Sequence, residues 1–157
     1  MRSSSPTLAS AYSRSVLRAA VAVACLGAAC AAPDEPNELA LAVEAQDLTT
    51  TARSLKASAP LPTPNSDNGV CFSIPDEYEM HSDWTFGRHP EERVAISAAA
   101  VSHEGAIVEL PGKSLIGNRF CRTTTHAIAI QEPIVAARIW SSAPIRVDSV
   151  VWISVDK

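Results

Sequence analysis

The chain has no concentrated positive charge. Ten of its 13 Lys and Arg follow Cys30 together with all 17 Asp and Glu, so the chain beyond Cys30 is about seven charges negative with neutral histidines. Nucleic-acid binding requires clustered positive charge. We therefore expect no nucleic-acid partner.

Motifs of catalytic and metal sites are also missing. The four histidines show no H-E-x-x-H spacing, and no serine lies in a G-x-S-x-G elbow. Neither Cys71 nor Cys121 has a second cysteine at C-x-x-C spacing, which argues against a zinc site. We therefore expect no enzymatic activity, no metal and no cofactor.

One cluster leaves an alternative open. Residues 76–83 combine a histidine with four carboxylates, and such a set can act as acid and base or bind calcium. The spacing does not match an EF-hand loop, so a solvated acidic loop is the preferred interpretation. A small hydrolase is the alternative, and its residues would be Asp76, Glu77, Glu79, His81 and Asp83.

The chain has no apolar run long enough to cross a bilayer as a helix, which takes about 20 residues. A run of small and apolar residues at 19–29 follows an acid-free segment containing Arg2, Arg14 and Arg18. This order of charge, apolar run and small residues is typical of a secretory signal. We predict a signal peptide at residues 1–29 and an exported protein.

The segment Leu26-Gly27-Ala28-Ala29-Cys30 resembles the lipobox of bacterial lipoproteins. In that family the cysteine is acylated and becomes the mature N-terminus. The resemblance implies lipidation at Cys30, a membrane as partner, and a location at the bacterial outer membrane or cell surface. The family prefers its large aliphatic residue three positions before the cysteine, whereas Leu26 lies four before. An ordinary cleaved signal, giving a secreted or periplasmic protein, is the alternative.

Residues 30–68 differ in composition from the rest of the chain. They contain no aromatic residue and end in alternating prolines, which favour an extended spacer. Asn37 is a candidate cap for a helix over residues 38–48, where Leu39 and Val43 have partial helical spacing. We predict a lipid-anchored flexible linker with one marginal helix.

From residue 69 onward, short β-type runs alternate with turn residues such as Pro111-Gly112 and Gly117-Asn118. No segment is long and helix-periodic, and there is no internal repeat. Short strands at this spacing predict an all-β fold, a small jelly-roll-like β-sandwich over residues 69–157.

Two cysteines remain in this domain, Cys71 and Cys121. An exported protein with one even pair most simply forms one disulfide. Two buried free thiols are the alternative.

The C-terminal strands predict a hairpin across the turn Ser142–Pro144. Pairing Trp140 with Arg146 sets Arg138 against Asp148, a favourable charge pair. One face of this hairpin is aliphatic and is the expected core, with Val135, Ala137, Ile139, Val147 and Val151. The other face is mixed and carries Trp140 and Trp152.

The segment from Ala137 to Val150 resembles the closing hairpin of galactose-binding-like jelly-roll modules. Members of that family commonly bind sugars or act as non-catalytic attachments. The resemblance and the mixed face together imply a binding site for a glycan or an envelope protein, made of Trp140, Trp152, Arg138, Arg146 and Asp148. The family's opening strand and metal-binding loop have no counterpart here.

Two other interpretations of the aromatic residues stay open. Trp84 and Phe86 can plug one end of the sandwich, and Trp140 and Trp152 can fill a second, smaller core. In that case the protein is a purely structural envelope lipoprotein with no small ligand.

Overall fold

The computed structural model of the protein describes residues 36–43, 46–125 and 132–155. The predicted signal peptide at residues 1–29 and the predicted lipidation site Cys30 lie outside them. In this described part no residue is helical, so no helix there is long and apolar enough to cross a membrane. Its strands are β1 (Pro36–Val43), β2 (Gln46–Leu48), β3 (Arg53–Leu61), β4 (Asn68–Ser73), β5 (Glu79–Met80), β6 (Thr85–Gly87), β7 (Val94–Ser102), β8 (Ile107–Glu109), β9 (Gly112–Ile116), β10 (Arg119–Thr123), β11 (Ile134–Ser141), β12 (Ile145–Val147) and β13 (Ser149–Val155).

The strands form two main sheets. The first has the order β1-β13-β4-β10-β9, and the second has the order β3-β11-β7-β6-β5 with β8 also paired to β7. Strand β12 pairs with β2 in a separate ribbon, and all of these described pairs are antiparallel. The prediction of an all-β sandwich is confirmed.

The main core lies between the two sheets. Phe72 and Trp152 enter it from the first sheet, and Ile96, Ala137 and Ile139 enter it from the second. Successive side chains of a strand point to opposite faces, so each of these strands supplies every second residue to the core. Burial of this apolar surface is the main force that holds the sheets together.

The opposite face of the first sheet carries a second, smaller cluster of buried residues, which includes Ile116 and Ile153. Cys71 and Cys121 belong to this cluster and lie directly opposite each other in the register of β4 and β10. They form a disulfide with an S–S distance of 2.03 Å and a Cα–Cα distance of 4.0 Å. The predicted disulfide is therefore confirmed.

Residues 36–61 are not the flexible linker that the sequence predicts. They form β1, β2 and β3, in which β1 pairs with β13 and β3 pairs with β11. The predicted helix over residues 38–48 is wrong, because Leu39 and Leu41 use strand spacing to pack on the core. Pro60 is tolerated in β3 because that strand lies at a sheet edge.

The predicted C-terminal hairpin is also wrong. Strand β11 pairs with β3 and β7, whereas β13 pairs with β1 and β4, so the chain changes sheets at the turn after β11. Arg138 lies opposite Ser54 and Ala99 rather than Asp148, and Arg146 lies opposite Asp47.

The alternation of buried residues changes phase at the junction of β12 and β13. Val147 and Val150 both enter the main core although they are three residues apart. Between them the backbone N–H of Asp148 donates to the carbonyl of Ser73 at 3.0 Å, which ties the junction to β4. As a result the side chain of Trp152 points into the main core and is 0% exposed. The sequence predicts it on the binding face instead.

Candidate functional site

The second sheet has a gap along one side of β7. Strand β6 pairs with β7 at Val94 and Ala95, and β8 pairs with it from Ala99 to Val101. None of the described strands pairs with residues 96–98 on that side. The segment after β8 crosses at this point, where the N–H of Leu110 donates to the carbonyl of Ala98 at 2.9 Å.

A cleft of about 410 Å³ lies at this gap. Its walls come from β7, from residues 109–111, and from the side chains of Lys113, Arg122 and Trp140. Small-molecule sites have volumes of roughly 300–1,000 Å³ and combine apolar walls with a few polar groups. We call this cavity the Arg122 cleft.

Arg122 reaches the cleft from the first sheet. It lies two residues after Phe120 on β10, so both side chains point to the same face. Phe120 packs on the main core, and Cys121 between them faces the disulfide cluster. Strand alternation therefore directs the Arg122 guanidinium into the space between the sheets.

Arg122 is a mostly buried arginine whose Nε is buried without a partner. The residue is only 6% exposed, and its Nε has no hydrogen-bond partner. None of the described residues forms an ion pair with it. Burial lowers the pKa of this guanidinium, which is the expected response of a cation moved out of water. An unpaired buried charge is costly, so this arrangement needs an explanation.

Close approach of the neighbouring strand holds the Arg122 backbone in place. A Cβ atom added to Gly69 on β4 would lie 2.1 Å from the carbonyl oxygen of Arg122. No larger residue fits at position 69 without moving β10. The cleft is thus built on a paired and disulfide-linked part of the first sheet.

A second cation lies beside Arg122. Lys113 is directly opposite Arg122 in the register of β9 and β10, and such pairs share one face of a sheet. The Nζ of Lys113 donates to the carbonyl oxygen of Asp83 at 3.0 Å, which holds it at the exposed rim. Glu109 also lines the cleft, so the charged side chains sum to one positive charge.

Trp140 supplies the aromatic wall. It is partly exposed and lies opposite Ser97, another lining residue, in the register of β11 and β7. Trp140 and Ser97 lie on the face of the second sheet that points away from the main core, because Ile139 and Ile96 beside them pack on that core. The cleft is therefore lined by a tryptophan and a serine from the second sheet and by Arg122 from the first.

The structure does not bring the five predicted binding residues together. Trp152 is buried in the main core, and Arg138 is absent from the lining of the cleft. Arg146 lines a different cavity, and Asp148 is exposed at the junction before β13. Of the predicted set, Trp140 alone lines the Arg122 cleft.

The cavity beside Arg146 has a volume of about 420 Å³, and three of its polar lining residues, Glu77, Tyr78 and Arg88, bind one another. Nη2 of Arg88 lies 2.7 Å from Oε1 of Glu77 and 2.9 Å from the Tyr78 hydroxyl, and the guanidinium stacks over the Tyr78 ring at 4.8 Å. The hydrogen bond with Glu77 raises the pKa of Arg88. None of the residues that line this cavity has a buried side-chain polar atom without a hydrogen-bond partner, whereas Arg122 in the other cleft has one.

Two carboxylates of the acidic loop have local partners, whereas Nε2 of His81 in the same loop is buried without a hydrogen-bond partner. Asp83 accepts a hydrogen bond from the Thr85 hydroxyl at 2.6 Å, which lowers the pKa of Asp83, and Glu77 pairs with Arg88. Asp76 and Glu79 are exposed. In the described residues no three His, Cys, Asp or Glu side chains are grouped so as to hold a metal ion.

Aromatic residues of the same loop close one end of the core. The rings of Phe86 and Phe120 lie 5.1 Å apart, and Trp84 packs edge-on against Phe120 at 6.3 Å. Trp84 has a φ of 63°, in the left-handed region where glycine is usual, at the end of the β5–β6 turn. The interpretation of Trp84 and Phe86 as a plug is supported.

Arg122 and Lys113 are not among the site residues that the sequence predicts. The sequence does contain a sign of Arg122. On the short strand β10, Arg122 shares a face with Phe120, whereas Cys121 lies on the opposite face. A charged residue on the apolar face of a strand marks either an ion pair or a site.

Comparison with known proteins gives no relative: no family model matches the chain, and no curated protein or solved structure matches it. Functional inference therefore depends on the geometry of the cleft and on the sequence features of the N-terminus.

Proposed function

We propose that this is an exported, membrane-tethered β-sandwich lipoprotein that binds carbohydrate in the Arg122 cleft without catalysing a reaction. The observation that carries the proposal is the partly exposed indole of Trp140 on the wall of a cavity that also presents polar groups. A sugar has apolar ring faces that stack on an aromatic side chain and hydroxyl groups that need hydrogen-bond partners.

Export and tethering are supported by the sequence and by the disulfide. The basic segment, the short apolar run and Cys30 have the order of a lipoprotein signal. A buried disulfide between Cys71 and Cys121 is compatible with an oxidising compartment.

Replacing Cys30 by serine is expected to move the protein from the membrane fraction to the soluble fraction, because the acyl acceptor is lost. Fractionation and palmitate labelling of the expressed protein measure this. Cys25→Ser is the matched control and is expected to stay labelled and membrane-bound. A Cys30→Ser variant that still takes up palmitate would contradict lipidation at Cys30.

Replacing Trp140 by alanine is expected to weaken binding to oligosaccharides at least tenfold, about 1.4 kcal/mol, because the stacking surface is lost. The measurement applies the purified protein to an array of neutral and acidic oligosaccharides. Arg138→Ala is the control, because Arg138 lies two residues away on the same face of β11 but does not line the cleft. Equal binding by both variants, or no binding by the unaltered protein, would contradict the proposed function.

A further inference from the structure

The Arg122 cleft is lined by a mostly buried arginine and by the partly exposed Trp140. We infer that its ligand is an acidic sugar whose carboxylate pairs with the guanidinium of Arg122. This inference rests on the proposed carbohydrate binding and adds the chemical class of the sugar.

The first argument is the missing partner. Arg122 is 6% exposed, lines the cleft, and makes no side-chain hydrogen bond or ion pair with the described residues. Three exposed or half-buried arginines of the described residues form ion pairs, Arg88 with Glu77, Arg93 with Asp83 and Arg119 with Glu38, whereas the more deeply buried Arg122 forms none. A ligand anion would offset the cost of burying the Arg122 charge, and no group of the described protein does so.

The second argument is the shape of the cation. A guanidinium is planar and presents parallel N–H donors that match the two oxygens of a carboxylate. Nε of Arg122 is buried and has no hydrogen-bond partner, so the two Nη groups are the donors left to pair with a carboxylate in the cleft. Charge-assisted bonds of this kind are about twice as strong as neutral ones.

The third argument is the charge balance. Arg122 and Lys113 contribute two positive charges to the lining, and Glu109 contributes one negative charge. One net positive charge matches a monoanion, and Glu109 repels a second negative charge. A sugar carboxylate therefore fits better than a phosphate dianion.

Stability alone does not explain Arg122. Replacing an unpaired buried cation by an apolar residue of similar length is expected to leave the melting temperature unchanged or raised. Arg122→Met keeps much of the apolar stem and removes the charge. Residues that bind a ligand often lower the stability of the fold, which is a common trade-off between stability and function.

The test is calorimetric titration of the purified protein with methyl β-D-glucuronoside, methyl β-D-glucoside and inorganic phosphate. We expect the glucuronoside to bind at least tenfold more tightly than the glucoside, and phosphate to bind more weakly than the glucuronoside. Arg122→Met is expected to remove the preference for the acidic sugar while it keeps the melting temperature. Glu109→Gln is expected to strengthen binding of the glucuronoside.

The outcomes separate the two proposals. Equal binding of both sugars, unchanged in Arg122→Met and weakened in Trp140→Ala, would overturn the carboxylate inference and leave carbohydrate binding intact. Tighter binding of phosphate than of the glucuronoside would also overturn the inference. Binding of neither sugar would contradict the proposed function itself. If Arg122→Met unfolds, Arg122→Lys is used in its place, because lysine keeps the positive charge. Lysine lacks the forked geometry, so this variant is expected to lose most of the preference for the glucuronoside over the glucoside.

Discussion

Replacing Trp152 by alanine is expected to lower the free energy of unfolding by about 3–5 kcal/mol. Trp152 is 0% exposed and is among the largest fully buried side chains of the main core. Alanine would leave a large cavity between the sheets, and neighbouring side chains would lose their packing partners. Urea unfolding followed by circular dichroism measures the change.

Trp140→Ala is the matched control for this measurement. Trp140 is partly exposed at the cleft, so its loss is expected to cost less than about 1.5 kcal/mol. Similar losses for the two variants, or a larger loss for Trp140→Ala, would contradict the inward orientation of Trp152.

A fragment that begins at Ser66 is expected to be unfolded. It lacks β1, β2 and β3, and with them four buried leucines: Leu41, Leu48, Leu55 and Leu61. Burying one leucine contributes about 1.5–3 kcal/mol, so four approach the whole stability of a small domain, about 5–15 kcal/mol. The fragment also exposes β13 and β11 as new sheet edges.

Dispersion of the amide resonances in a ¹H–¹⁵N spectrum measures folding of this fragment. A fragment of residues 32–157 is the control and is expected to give dispersed resonances. If the fragment from Ser66 gives the same dispersed spectrum and a cooperative melting transition, residues 36–61 are not part of the core.

The fold class and the disulfide could be predicted from the sequence because both depend on local signals. Short apolar runs and turn residues indicate strands, and one even pair of cysteines in an exported chain indicates a disulfide. The same local signals do not distinguish the strands β1 and β3 from a flexible linker. In β1, Leu39 and Val43 fit a helical spacing, whereas Leu39 and Leu41 fit a strand spacing. In β3, the nearby prolines favour an extended spacer over a strand in the sequence pattern.

Pairing partners were harder to predict than strands. The turn Ser142–Pro144 suggests a hairpin, but β11 and β13 lie in different sheets, and their partners come from distant parts of the chain. The phase change at Asp148 depends on its hydrogen bond to Ser73, which no local pattern encodes. The sequence pattern therefore puts Trp152 and Val151 on the wrong faces, because Val151 packs on the disulfide cluster, and Val135 is only half-buried. It puts Ala137, Ile139 and Val147 correctly in the core.

The candidate site was predicted only in part. The aromatic residues of the sequence suggest Trp140 as a binding residue. The other residues that line the cleft come from other strands and are not suggested by the sequence around Trp140. Arg122 and Lys113 line the same cleft because none of the described strands pairs with residues 96–98 on the side of β7 away from β11, a gap that becomes visible only in the folded sheets.

Titration of ¹⁵N-labelled protein with methyl β-D-glucuronoside tests the central claim, ligand binding in the Arg122 cleft, most directly. We predict saturable shifts of the Nε–H resonance of Arg122 and of the indole N–H resonance of Trp140. The indole resonance of Trp152, which is buried and does not line the cleft, is expected to stay in place. Unshifted Arg122 and Trp140 resonances at millimolar ligand, or shifts confined to residues outside the cleft, would contradict the account.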